Sequence, residues 1–389
     1  MAKVLVLGGG FAGVEASIYL RKDGHEVDLI SDREYMYIYP TSIWIPVKKA
    51  QFEDICIPMS DLMRVHGFNF IKDKIVKIEA KNMKVYGENR EYEGYDYIVI
   101  AVGSSKMKHK GSENFLSICG DPKESVMLRD EIEKIIQKRV GKIAMGFGGN
   151  PNDSSAVRGG PAFEVLFNVH NMLKKEGIRN SVELTFFAPM PKPGAKMGEK
   201  ALKMMDIFFD KLDINKMVGK NIKEFQKGAV VFEDDSKLEA DLIMFIPAGR
   251  GHDFIIESDL SVSEAGFVNI NDYSQAEGFE KIFVIGDSAK LEGPDWRAKQ
   301  GHVAEVMARN TAYNITAMEN LRSDELKGYK EHLNILCVMD SGDGAAFVYR
   351  DDKRGMMIPM PIVGHWLKKA WGWYCYNSKL NKIPRIPGM

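Results

Sequence analysis

Gly8, Gly10 and Gly13 stand in the order G-x-G-x-x-G, directly after the apolar run Val4-Leu5-Val6-Leu7 and directly before the apolar-periodic stretch Val14 to Leu20. In that setting each glycine has a task. Gly8 lets the chain turn sharply, Gly10 lets backbone meet a pyrophosphate with no Cβ in between, and Gly13 lets a helix lie close on a strand. Phe11 and Ala12, between the second and third glycines, open a helix whose free N–H groups and partial positive charge face the phosphates. The next strand, Val27-Asp28-Leu29-Ile30, ends in Ser31-Asp32, where an acceptor for an adenosine ribose hydroxyl belongs. A glycine trio alone is equally an ordinary tight loop. The strand before it, the helix after it and the polar pair at the next strand end favour an adenine dinucleotide.

A second chemistry-bearing stretch is Ile285-Gly286-Asp287, at the end of the apolar run Ile282-Phe283-Val284 and ahead of a helix expected from about Lys299 to Ala317. An Asp there can simply cap a helix. In a chain that already binds a dinucleotide, it is better placed to hold a flavin's ribityl hydroxyls, with the helix dipole favouring negative charge on the reduced ring. The four cysteines, Cys56, Cys119, Cys337 and Cys375, show no C-x-x-C pair and no ligand spacing with the eight histidines, so no metal is expected. Cys56 and Cys375 read as small buried hydrophobes.

These residues need strands and helices to hold them, and the pattern supplies an α/β chain. Tyr97-Ile98-Val99-Ile100 is a buried strand running into Ala101-Val102-Gly103, a turn that returns past the dinucleotide. Lys142 to Phe147 starts a second strand-plus-glycine unit. Its turn, Gly148-Gly149-Asn150, breaks into Pro151 and runs on to Gly159-Gly160-Pro161, and the later strand Val182 to Phe187 ends in Ala188-Pro189 rather than an acid. The expected fold is two Rossmann-like dinucleotide-binding domains, the second without an NADH fingerprint, followed by a C-terminal membrane-interfacial helical tail. The boundaries expected are residues 1–105 with 280–322 for the FAD-binding domain, 106–279 for the second, and 323–389 for the C-terminal domain.

Gly8-x-Gly10-x-x-Gly13, Ala101-Val102-Gly103 and Ile285-Gly286-Asp287 resemble the FAD signatures of the two-dinucleotide-domain flavoproteins. Leu29 to Arg33 with Pro40-Thr41, Gly160 to Glu164, Ala298-Lys299-Gln300-Gly301-His302 and Cys337 to Gly344 resemble sulfide:quinone oxidoreductases and flavocytochrome c sulfide dehydrogenases. The resemblance covers nearly the whole chain. It implies one FAD, held by Gly8, Gly10, Phe11, Ala12, Gly13, Ser31, Asp32, Pro40, Thr41, Ala101, Gly103, Gly286, Asp287, Lys299 and Gly301. It also implies sulfide oxidation by cysteines beside the flavin, with quinone removing the electrons from the other side. Cys337 matches the family's C-terminal redox cysteine, Cys119 an auxiliary cysteine, Lys299 a lysine at the flavin's pyrimidine edge and Glu164 an acid that relays protons. The family's central cysteine is replaced here by Arg158. That leaves three possibilities: Cys119 partners Cys337, chemistry runs on one thiol, or the donor differs. If Arg158 faces the same pocket, it is expected to hold Cys337 as thiolate.

The tail adds Val363, Trp366, Leu367, Ala370, Trp371 and Tyr374 at helical spacing, with Lys368 and Lys369 assigned to the other side. That is the composition of an interfacial helix at a membrane surface; packing on the chain's own domain or on a second copy in a homo-oligomer is the alternative. Its removal from about Met356 is expected to weaken membrane and quinone contact and to leave the flavin undisturbed. Lys+Arg 53 against Asp+Glu 54 calls for no nucleic acid, and a mean hydropathy of −0.23 with no long apolar run argues against a bilayer span. Met1-Ala2-Lys3 enters a strand with no signal-peptide core, so the expected location is peripheral membrane, on the cytoplasmic side. The function expected is FAD-dependent sulfide:quinone oxidoreduction. A type II NADH:quinone dehydrogenase, or a flavoprotein quinone reductase or redox subunit with another donor, is the alternative.

Overall fold

The computed structural model describes residues 1–361 and 363–385. From the first hundred residues come β1 (Lys3–Leu7), α1 (Phe11–Lys22), β2 (Glu26–Ser31), β3 (Asn69–Lys72) and β4 (Tyr97–Ile100). The middle supplies β5 (Gly141–Phe147), α2 (Gly160–Lys175), β6 (Val182–Ala188), β7 (Asn215–Val218) and β8 (Leu242–Ile246). Then β9 (Ile282–Val284) and α3 (Gly301–Glu319) return to the first unit, and β10 (Ile335–Asp340), β11 (Gly344–Arg350), β12 (Gly355–Pro361) and α4 (Val363–Lys379) close the described chain.

Fully apolar strands buried on both faces belong in parallel sheets covered by helices, and two such sheets form. One runs β9-β4-β1-β2-β3 and the other β7-β6-β5-β8, with every neighbouring pair parallel. β9 pairs in parallel with β4 at the edge of the first sheet. α1 and α3 pack side by side over the first sheet, so both N-termini, at Phe11 and Gly301, open toward its strand ends. The third sheet, β10-β11-β12, is antiparallel and carries α4 on its surface.

α4 does not sit as its composition suggests. Its buried residues are Gly364, Lys368, Gly372, Cys375, Ser378 and Lys379, while Val363, Trp366 and Trp373 are 66%, 64% and 61% exposed. Lys368, expected on the solvent side, is inside. The reason is partners: the Lys368 ammonium pairs with the buried Glu164 of α2, and the Lys379 ammonium pairs with Glu15 of α1 and, at 2.6 Å, with Glu305 of α3. Arg385 also reaches Glu15. A buried carboxylate loses its hydration, but here two cations outweigh that loss and hold the Glu15 carboxyl below the ordinary glutamate range.

The tail is therefore part of the cofactor domain's interior, and removing it cannot leave the flavin undisturbed. Cutting at Met356 takes Lys379 from Glu15 and Glu305, on the two helices whose N-termini build the cofactor site, and leaves Glu15 with Arg309 at 3.8 Å. Removing one partner of a buried pair costs about 3–5 kcal/mol, so Lys379→Met should unfold at markedly lower urea than the parent, read by circular dichroism. A folded-state carboxyl held low contributes stability above the unfolded glutamate value and loses it as the pH falls below. The parent's advantage over Lys379→Met should accordingly shrink below about pH 4.

Candidate functional site

A cavity of about 910 Å³ opens where the strand ends of the first sheet meet the N-termini of α1 and α3. Its walls include Gly8, Gly10, Phe11, Ala12, Ser31, Asp32, Pro40, Ala101, Gly103, Gly286, Asp287 and Gly301. The glycines do what their order implies. Gly8 has φ +109°, and a Cβ there would lie 2.4 Å from the Ala101 carbonyl oxygen; a Cβ on Gly13 would lie 1.8 Å from the Gly8 carbonyl oxygen. Gly10 meets nothing within 4 Å, so the turn presents bare backbone to the cavity. An anion cradle at a helix N-terminus, the polar pair Ser31-Asp32 at the end of β2 and a carboxylate at Asp287, all in one wall, fit one FAD, which is the cofactor of this chain.

Two of the expected cofactor residues stand behind the wall. Gly13 is the packing contact just described. Thr41 donates its hydroxyl to the Ile38 carbonyl at 2.8 Å, and its methyl meets Gly372 of α4, where a Cβ would come within 2.7 Å. Lys299 is absent from the wall as well. Its amine donates to the backbone carbonyls of Asp287, at 3.2 Å, and Ala289, and lies 3.8 Å over the Phe267 ring. Burial brings its pKa down to about 7.

Of the expected redox residues, Cys119 and Arg158 line the cavity, and Cys337 and Glu164 lie outside its wall. Arg158 pairs with Asp287, the expected ribityl acceptor. Cys337 sits on β10, where burial, aided by the Glu164 charge and opposed by Lys368, pushes its thiol up to about 12. The expected thiolate is not what this setting favours, because the arginine is committed to Asp287 and the nearest carboxylate repels a second negative charge. Burial also raises the Cys119 thiol, against Lys106 and Arg158 and with Glu164. Glu164 thus acts on both thiols, although no spacing in the sequence joins them.

Glu164 is anchored in a buried polar cluster that sequence reasoning missed. It accepts from the Asp340 backbone N–H at 2.7 Å and pairs with Lys368. The Asp340 carboxylate accepts from Trp44 Nε1 at 2.8 Å and Asn168 Nδ2 at 3.0 Å, and meets His365 Nδ1 at 2.7 Å. Burial alone would raise both carboxyls. Three hydrogen-bond partners hold Asp340 low, while desolvation wins at Glu164 and raises it. Lys106 on the cavity wall was missed too, though it lies just past the Gly103 turn; burial and Arg158 bring it down to about 8. Among the described residues no group of His, Cys, Asp and Glu is arranged to hold a metal ion.

The second sheet lacks the corresponding cradle. β5 ends at Phe147 and α2 begins only at Gly160, and residues 148–159 between them loop away, with Asn150 Nδ2 bonded to the Gly249 carbonyl at 2.8 Å and Asp153 capping Ser155. A helix N-terminus so far along the chain from its strand does not form the tight nucleotide turn of the first sheet.

The family model described as pyridine nucleotide-disulphide oxidoreductase matches residues 2–308. The sulfide-quinone reductase of Aquifex aeolicus is 26% identical over 96% of this chain and 90% of its own length. A type II NADH:quinone oxidoreductase of Staphylococcus saprophyticus is 24% identical, over 91% of each chain. Among solved structures, the sulfide:quinone oxidoreductase from Aquifex aeolicus superposes with a TM-score of 0.85 at 24% identity, covering 98% of this chain and 92% of that one. NDH2 from Plasmodium falciparum superposes with a TM-score of 0.78 at 12% identity, covering 100% and 99%.

A thiol held near 12 is almost wholly protonated at neutrality, so alkylation of Cys337 by iodoacetamide should climb about tenfold per pH unit from pH 7 to pH 9 without levelling. Glu164→Gln removes the charge that raises the thiol and leaves Lys368, which lowers it. The variant should react about tenfold faster at pH 8, measured by mass spectrometry of the labelled peptide.

Proposed function

The chain belongs to the pyridine nucleotide-disulphide oxidoreductase family, and from that premise we propose that it oxidises an inorganic sulfur donor through Cys337 and Cys119 and delivers the electrons to a membrane quinone. That it is an FAD-dependent oxidoreductase of the quinone-linked kind agrees with both sets of relatives. The sulfur donor is favoured by one placement above the rest: Cys119 lies in the cofactor cavity wall, and Glu164, accepting from the Asp340 backbone N–H, is bonded to the strand that carries Cys337. The broken turn at residues 148–159 speaks against NADH in the same chain.

The electron and proton balance assigns work to these groups. Oxidising HS⁻ to zero-valent sulfur releases two electrons and one proton, and reducing a quinone takes up two electrons and two protons, so one proton enters per turnover. FAD, when bound, supplies the two-electron relay. Glu164, with its carboxyl raised by burial, holds a proton closer to neutrality than an exposed glutamate does and serves as the local acceptor for the Cys337 proton. Lys368 keeps the carboxylate form tolerable after that transfer.

The quinone end rests on α4. A helix that buries two lysines and exposes Val363, Trp366, Leu367 and Trp373 is the reverse of what water favours, and Leu336 and Ile358 of the adjoining sheet add to the same exposed apolar set. Among the described residues no helix is long and apolar enough to cross a membrane. The reading is therefore of a helix lying in the headgroup region, with the Trp rings at the interface.

Anaerobic mixing decides the donor. Sulfide should bleach the flavin band and NADH should not, and Cys337→Ser should lose the sulfide response with FAD retained. Bleaching by NADH alone would assign the chain to the alternative chemistry. Replacing Trp366, Leu367 and Trp373 together by Ser should reduce liposome partitioning about 100-fold or more, since each large apolar side chain contributes about 2 kcal/mol. Unchanged partitioning in a vesicle flotation assay would remove the membrane reading.

A further inference from the structure

The loop that spoils the second nucleotide turn brings something in exchange. It delivers Arg158, two residues before α2, onto Asp287 at the end of β9. Both side chains line the cavity together with Gly286 and Gly301. Lys299, where the family resemblance expects a cation at the flavin's pyrimidine edge, has its amine bonded to two backbone carbonyls and set over the Phe267 ring, outside the wall. The cations that do line the cofactor cavity are Arg33, Lys74, Lys106 and Arg158, and of these Arg158 is the one paired with Asp287. A guanidinium is charged at any pH the protein meets, and an ammonium in a buried setting is not.

Taking up two electrons and one proton leaves a flavin ring with one net negative charge, where the oxidised ring has none. A fixed cation beside that ring favours the reduced form over the oxidised form, which is to say that it raises the reduction potential. We propose that Arg158, occupying the place of the family's central cysteine, is a positioning residue that sets the flavin's potential in this chain, its guanidinium fixed by Asp287 and facing the ring in the role expected of Lys299. The inference rests on FAD in this cavity and does not depend on the sulfur donor, so its failure and that of the sulfur reading are separable.

The groups that face Arg158 are Asp287, Lys299, Lys106, Cys119 and Tyr39. Burial brings Lys299 down to about 7 and Lys106 to about 8, so either of them, if it supplied the charge, would switch off within the accessible pH range.

The test uses the FAD-loaded protein with dithionite as electron source and reference dyes, alongside the dissociation constant of oxidised FAD. Arg158→Met should weaken reduced FAD about tenfold more than oxidised FAD, a potential lower by about 30 mV for a two-electron couple. Arg158→Lys should restore most of the difference at pH 6. Equal weakening of both forms would make the arginine a plain cofactor clamp and overturn the proposal. So would a loss of potential in Lys299→Met that is absent from Arg158→Met. Should Arg158→Met fail to hold FAD, Arg158→Lys decides: its potential should match the parent's at pH 6 and fall below it at pH 9, where a buried ammonium gives up its charge and a guanidinium does not, and a potential equal to the parent's at both pH values would overturn the proposal.

Discussion

Buried charge pairing on α4 is the constraint on which the rest depends. Lys379 is 2% exposed and meets carboxylates on α1 and α3, and Lys368 meets one on α2. Buried ion pairs add little net stability compared with well-packed apolar groups, but they tolerate no loss of a partner. They therefore act as addresses. Sliding helix α4 by a turn would take Lys368 from Glu164 and Lys379 from Glu15 and Glu305, which sets its register. With α4 fixed, Thr41 is fixed against Gly372 and His365 against Asp340, and the strand that carries Cys337 is held against α2.

The same pairing explains the unusual exterior. Because the polar face of the helix is spent inward, Trp366 and Trp373 point out, while Trp371 packs partly buried against the core of the first sheet. The exposed apolar surface is a consequence of how the cofactor domain is closed as much as an adaptation to what lies outside. Glu164 belongs to the same economy of charge. It is kept by Lys368 from being an isolated buried carboxylate, while desolvation raises its carboxyl above the ordinary glutamate value.

Local chemistry was legible in the sequence, and long-range pairing was not. The turn at Gly8, Gly10 and Gly13, the polar pair Ser31-Asp32 and the carboxylate at Asp287 are each set by a few neighbouring residues, so their types and spacing suffice. The two parallel sheets are legible for a similar reason, since runs such as Tyr97 to Ile100 and Leu242 to Ile246 are apolar on both faces. Lys379 and Glu15 lie 364 positions apart, and no periodicity links them. Amphipathic reasoning puts Lys368 on the outer face of α4 because it takes water as the solvent; three buried carboxylates, Glu164, Glu15 and Glu305, reverse the helix. The place of Arg158 was visible as a departure from a pattern, but its partner was a matter of how residues 148–159 loop. Lys299 was sited by its neighbours along the chain, and its amine follows the carbonyls of Asp287 and Ala289 instead.

The closing of the cofactor domain by α4 bears on how the protein is made. Glu15 precedes Lys379 by 364 residues, so while the chain between them is being made the helix that presents the glycine turn carries a carboxylate without that cation. N-terminal units of a nascent chain fold first where they can. This one can collect its strands β1, β2 and β4 early, yet β9 and α3 arrive late and the counter-charge later still. The cofactor domain is thus closed only by segments made long after its glycine turn.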